Sequence, residues 1–199
     1  SALVGVNVVA GVGMAAGLFF VFLEIARKLR FLNVLLRPQT SWMTRETYVV
    51  ALFYPTLLLD LLWPSGVLHL LLVIEAAAFL YCQARILPAG KGIPAWRAPL
   101  MPWMLIATGL LEGTGLLAIS ATLHPAMHSV APLAAGMGGA LAVINAILWR
   151  NYIANAASNG IGPLPRKALG AINLPLRLIG HALPLLGFAA FLGLWPTPP

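Results

Sequence analysis

The chain has 199 residues, of which 60% are hydrophobic and only 9% charged, and its mean hydropathy is +0.91. A soluble domain carries roughly 25% charged residues, so this composition excludes an ordinary water-soluble enzyme and indicates a protein that crosses a membrane several times. A net charge of +7 could in principle suit nucleic acid, but the positive residues fall in short connections between apolar runs. Anionic headgroups and membrane orientation account for them, and no nucleic-acid partner is expected.

A spanning helix needs about 20 residues to cross hydrocarbon ~30 Å thick, with its backbone groups paired internally. The first such run covers residues 2–25 and includes GMAAG, whose Gly13 and Gly17 lie four apart on one face and would admit a close helix contact. Ser1 is not an initiator methionine, which is compatible with processing or with further chain upstream. Next comes the one strongly basic stretch, EIARKLRFLNVLLRPQTSWMTR at residues 24–45, read as a membrane-surface connection over 26–46. Runs at 47–63 and 67–84 flank the WPSG turn, and both are short for a crossing. A second basic connection, 85–98, precedes runs at 99–123 and 130–149. A third basic connection occupies 150–177, where the proline-rich 164–175 region reads as interfacial rather than as a seventh span. The last apolar run follows Arg177 and reaches Trp195. The expected fold is an all-α integral membrane protein, one polytopic helical bundle of about six spans in a single transmembrane domain.

Lysines and arginines alternate between the two sides. Five fall at 27–45, none at 64–66, three at 85–97, none at 122–129, and Arg150, Arg166, Lys167 and Arg177 complete the twelve. The positive-inside rule makes the basic connections cytoplasmic and places both ends of the chain outside. Trp42, Trp63, Trp96, Trp103, Trp149 and Trp195 all fall near run ends, where amphipathic rings favour the interface. No Gly-rich phosphate loop, zinc spacing or nucleophile elbow occurs. The lone Cys82 cannot form an intrachain disulfide or by itself hold an iron-sulfur cluster.

Carboxylates at membrane depth require an explanation, because each costs several kcal/mol unless it meets a polar cavity, a cation or a proton. Glu112 falls mid-span within TGLLEGTG: either a proton or quinone site, or a protonated carboxyl bonded to Thr108, Thr114 or a neighbouring helix. Glu75 is deep in the third run and needs a partner. Asp60, beside the WPSG turn, is expected to reach headgroup water, near His69. Glu24 stands three and four residues before Arg27 and Lys28, giving an interfacial ion pair or the mouth of a ligand pocket. His69, His124, His128 and His181 could each relay protons, or His124 and His128 are wet residues of an outer connection; only His181 is well inside a run, so a bis-histidine haem has weak support. Tyr48, Tyr54, Trp42 and Trp103 are either interfacial anchors or flanks for a quinone ring. Asn145 is a candidate bridge between helices.

Three segments resemble the membrane anchors of the polysulfide-reductase type, including those of dimethyl-sulfoxide reductases. EIARKLRF at 24–31 is similar to an acidic residue followed by Leu-Gly-Arg-Pro-x-Arg-Phe, although Glu24, Ala26 and Lys28 replace the usual aspartate, glycine and proline. NVLLRPQTSWMTRE at 33–46 resembles the Leu-x-x-Pro segment with its Ser-Trp-Met-x-Arg ending, and ARILPAGKGIPAWRAPLMPWMLIATGLLEG at 84–113 the Ile-Pro-x-Trp-x-x-Pro-Leu approach to a span. Together the three cover about half the chain in the family's order.

The resemblance implies a haem-free subunit of a bacterial or archaeal cytoplasmic membrane that binds a quinone such as menaquinone. It implies a four-cluster iron-sulfur partner and a catalytic subunit with a molybdenum or tungsten pterin cofactor, one branch being the phenylacetyl-CoA:acceptor oxidoreductases. Anchors of this kind commonly have about eight spans, so a helix before Ser1 or a shortened branch is implied. Carried onto this sequence, Glu24, Arg27, Arg30, Trp42, Arg45 and Arg97 would orient the quinone headgroup, offset charge on it or dock the iron-sulfur partner, and Glu112, Glu75 and Asp60 would relay protons. For each arginine the competing role is contact with membrane lipids. The rival readings of the whole chain are an ion or solute transporter using Glu112 and Asp60, and a purely structural anchor.

Overall fold

The computed structural model describes residues 2–24 and 35–195. The protein is all-α. Its long helices are α1 (Ala2–Glu24), α2 (Trp42–Leu62), α3 (Gly66–Ala89), α4 (Met101–Leu123) and α5 (Ala131–Ala154), followed by one continuous helical run. That run comprises α6 (Pro163–Pro175), a π-helical segment (Leu176–Ala182) and α7 (Leu183–Leu194). Among the described residues, five helices are long and apolar enough to cross a membrane: Val4–Leu23, Gly66–Ala89, Met101–Leu123, Pro125–Ala154 and Pro163–Leu194. Helix α2 has the length but carries Arg45, Glu46 and Asp60. The chain is thus a multi-pass helical membrane protein, and its helices match the six expected runs.

Two compact units divide the chain, Ser1–Ile86 and Leu87–Pro199. In the first, Phe53 and Leu57 of α2 and Leu72 of α3 form a buried cluster against Met14 of α1. The close approach of α1 is at Gly11, where an added Cβ would strike the Leu57 side chain, while Gly13 and Gly17 have nothing within 4 Å. The GMAAG pair is therefore not the contact. Lipid-facing Val12, Phe19 and Phe20 show the reason: apart from Asn7, α1 is apolar through residue 23, so apolar pattern does not set its rotation.

The second unit is built on small residues. Ala107, Ala118 and Ala121 of α4 and Ala134, Ala135 and Ala142 of α5 are buried, while Leu116, Ile119, Leu133 and Ile147 face outward. In hydrocarbon, leucine gains little by hiding from lipid, and close backbone packing through small side chains holds helices together. A second cluster, Ala98, Trp149, Tyr152, Ala156 and Ile161, fixes the chain on either side of α5. The Tyr152 hydroxyl donates to Ala95 O at 3.1 Å, and the Trp149 indole donates to Asn173 Oδ1 at 2.9 Å. After α5 the chain turns at Gly160, whose φ of 76° suits a residue without Cβ.

The 164–175 region is helical and does not turn away before the last span. A helix over Pro163–Leu194 has 32 residues, about 48 Å at 1.5 Å per residue, well beyond the hydrocarbon thickness. Helix α6, which has no buried residue and carries Arg166 and Lys167, is the excess. Pro175 and Pro184 each lack an N–H, and the intervening turn widens to i→i+5 bonding.

Candidate functional site

The first turn of α2 is prepared by its cap. Ser41 is extended, and its hydroxyl accepts from the Thr44 amide at 3.3 Å. The preceding connection is folded back onto this turn: Arg45 donates from Nε to Pro38 O and from Nη2 to Gln39 O, both at 2.8 Å, and Tyr48 donates to Leu35 O at 2.7 Å. The Arg45 guanidinium also lies 4.2 Å from the Trp42 ring centroid. This arginine anchors the connection with two of its five donors. Arg45→Lys keeps the charge but loses the planar fork. We expect it to cost about 1 kcal/mol and to speed proteolytic cleavage within residues 35–40 of the detergent-solubilised protein; an unchanged cleavage rate would count against the anchoring role.

Helix α3 brings its last turns to the same place. Tyr81 meets the Trp42 ring edge-on at 5.6 Å, and the Arg85 guanidinium is 5.2 Å from that ring. Gln83 Nε2 donates to Glu46 Oε1 at 2.5 Å, and Glu46 is buried. Arg85 Nε is buried and has no hydrogen-bond partner among the described residues. The cluster thus holds two guanidinium groups over one indole, a buried carboxylate, and an unpaired buried donor. It includes Trp42 and Arg45 of the expected site. Arg27 and Arg30 lie outside the described residues, as does the side chain of Glu24, the last residue of α1. Arg97 is exposed at the end of the short 3-10 turn Pro94–Arg97 in the other unit.

A second polar cluster ties the three helices of the first unit together. Asp60 is completely buried and accepts from Asn7 Nδ2 at 2.9 Å through Oδ2. Its Oδ1 is 3.2 Å from His69 Nε2, within ion-pair distance when the imidazole is protonated but not aligned as a hydrogen bond. The expected neighbour His69 is present, and Asp60 does not reach headgroup water. Glu75 finds its partner in Thr56: Thr56 Oγ1 stands 3.0 Å from both Glu75 Oε1 and Leu52 O, and its single proton serves one of them at a time.

In the second unit, Glu112 is exposed on α4. It lines an apolar groove of about 780 Å³ with Thr108, Gly115, Phe188 and Phe191. Neither expected threonine serves it: Thr108 donates to Asn145 Oδ1 at 3.3 Å, and Thr114 to Leu111 O at 2.8 Å. Buried Asn145 does bridge α5 to α4. His124 and His128 are exposed, and His128 packs edge-on against Trp195. Among the described residues no group of three or more His, Cys, Asp or Glu is placed to hold a metal ion.

Sequence reasoning missed Glu46, Gln83, Arg85 and Asn7. The missed signal was spacing: Trp42, Arg45 and Glu46 fall at i, i+3 and i+4, as Tyr81 and Arg85 do at i and i+4, so each group shares a helix face. Comparisons with protein-family models, with curated proteins and with solved structures give no match.

Proposed function

We propose that the chain is the quinone- or quinol-interacting membrane anchor of a molybdenum or tungsten iron-sulfur oxidoreductase. The supporting observation is the unpaired, buried Nε–H of Arg85 beside Trp42 and Arg45, in the segment whose sequence resembles such anchors. A quinone carbonyl oxygen is an acceptor of the kind that donor lacks. With both guanidinium groups already over the indole, a quinone would meet their N–H edges rather than stack on Trp42. Glu46, buried and held by Gln83, would accept or return a proton beside the ring. When bound, the quinone supplies the two-electron exchange with the iron-sulfur partner, and the chain's residues orient it and balance its charge.

The transporter reading is less well supported. Between the Trp42 and Asp60 clusters the buried side chains are Phe53, Leu57 and Leu72, and among the described residues the one polar pair there, Thr56 with Glu75, stands alone rather than in a continuous chain of polar groups.

The test is gentle detergent purification of the native assembly, with subunit identification, metal analysis and quinol-dependent electron exchange on one fraction. We expect iron and molybdenum or tungsten to co-purify. Arg85→Gln should lower exchange about tenfold with the metal content unchanged, the loss of one charge-assisted hydrogen bond. A homogeneous metal-free protein with specific solute flux would sink the proposal.

A further inference from the structure

A second cavity, independent of the Trp42 cluster, lies wholly within the second unit between α5 and the π-containing helix. Its volume is about 550 Å³, within the range of small-ligand pockets of roughly 300–1,000 Å³. One wall comes from α5, where Val143, Ile147 and Arg150 recur at helical spacing. The other is a stripe of Asn173, Arg177, His181 and Leu185, each four residues after the last.

Such a stripe would not stay on one face of a regular α-helix. At about 3.6 residues per turn, a step of four overshoots by about 40°, so three steps drift by about 120°. The π segment Leu176–Ala182 holds more residues per turn, and a step of four there no longer overshoots. The widened turn therefore keeps Arg177 and His181 on the face that carries Asn173 and Leu185.

The polar groups of this cavity are donors without matching acceptors. Arg150 and Arg177 both line it, and no carboxylate does. Both ring nitrogens of His181 are buried, with no hydrogen-bond partner among the described residues. The Asn173 amide oxygen accepts from Trp149, so the donor end of that amide is the one the indole does not engage. The remainder of the lining is apolar, and Val143, Ile147 and Leu185 are also exposed on the outer surface, so the cavity opens toward hydrocarbon. Cationic donors joined to an apolar wall open to lipid match an anionic head carried on acyl chains.

We propose that this cavity is a binding site for an anionic phospholipid. Arg150 and Arg177 hold the phosphodiester, His181 and Asn173 donate to its oxygens, and an acyl chain lies along Val143 and Ile147 of α5. Both arginines belong to the third basic connection, which the charge alternation assigns to the cytoplasmic leaflet, where anionic lipids and basic inter-helix pockets meet.

The test is native mass spectrometry of the full chain, released from nanodiscs of equimolar phosphatidylglycerol and phosphatidylcholine. We expect one retained phosphatidylglycerol in preference to phosphatidylcholine. Arg150→Gln and Arg177→Gln should each weaken retention roughly fivefold, and Ala146→Phe, which fills the cavity and leaves both arginines, should also abolish it. Arg166→Gln removes the same single charge from α6 outside the cavity and should leave retention unchanged. Equal loss in that control, equal retention of the two lipids, or displacement of phosphatidylglycerol by millimolar inorganic phosphate would each overturn the assignment: the first indicates unspecific charge, the second no headgroup recognition, the third a site for free phosphate.

Discussion

Replacing Asp60 by leucine is expected to destabilise the protein by about 3 kcal/mol, because it removes a fully buried acceptor that Asn7 and His69 share. Asn7 loses the partner of its 2.9 Å hydrogen bond, and His69 loses the carboxylate 3.2 Å from its Nε2. Asp60→Asn keeps an oxygen for the Asn7 amide and loses only the charge facing His69, so it should cost about 1 kcal/mol. The decisive variant is the pair Asn7→Leu with Asp60→Leu. Removing donor and acceptor together leaves fewer unsatisfied groups than removing the acceptor alone, so the pair should be more stable than Asp60→Leu by about 1 kcal/mol. Unfolding in mixed micelles of increasing dodecyl sulfate, followed by circular dichroism, reads all three. An Asp60→Leu midpoint matching that of the parent would show that the cluster adds nothing to stability.

The helices were legible because long uncharged runs have few alternatives in a membrane. Tryptophans at their ends, the Asn145 bridge and the nearness of Asp60 to His69 were also readable. What the sequence hid was rotation. A soluble helix announces its buried face by its polar one, whereas α1, α3 and α4 carry a few polar residues in mostly apolar sequence and present no continuous polar face. Gly11 could not be told from Gly13 or Gly17 as the contact, nor could Asn7 be named as the partner of a residue 53 positions away. For Glu112 a bond to Thr108 or Thr114 was one of two readings, yet both threonines donate elsewhere and the carboxylate faces an apolar groove. The π segment was hidden for a different reason: Pro175 and Pro184 signal disturbed bonding but do not say whether a helix will break or widen. Of the candidate site, Trp42 and Arg45 were legible through the family-like segment. Arg85 and Glu46 became meaningful only when α2 and α3 were placed side by side.

The second large effect is expected at Gly138 of α5. The Phe188 ring of α7 is seated on this glycine so closely that a methyl group there would overlap it, and Gly115 of α4 is also within contact distance of the ring tip. One aromatic side chain thus joins three helices by occupying a hole made of hydrogen atoms. Gly138→Leu should cost about 3 kcal/mol, since overpacking displaces the ring from a formed helix contact. Gly136, two residues earlier on the same helix, has nothing within 4 Å. Gly136→Ala should therefore be neutral or gain up to about 1 kcal/mol from helix propensity, and the opposite signs on one helix separate packing from backbone effects. Phe188→Ala alone should cost about 3 kcal/mol by leaving a cavity, and combining it with Gly138→Leu should cost less than the sum, because the new side chain occupies the vacated space. Additive losses in the same micellar unfolding assay would refute the seating. The ring also has a place in the membrane surface: it lines both the groove of about 780 Å³ that holds Glu112 and a smaller one of about 230 Å³ beside Gly139. Its removal should enlarge the space in front of Glu112 and expose that carboxylate to larger apolar ligands, an effect readable as faster modification of Glu112 by a membrane-soluble carbodiimide.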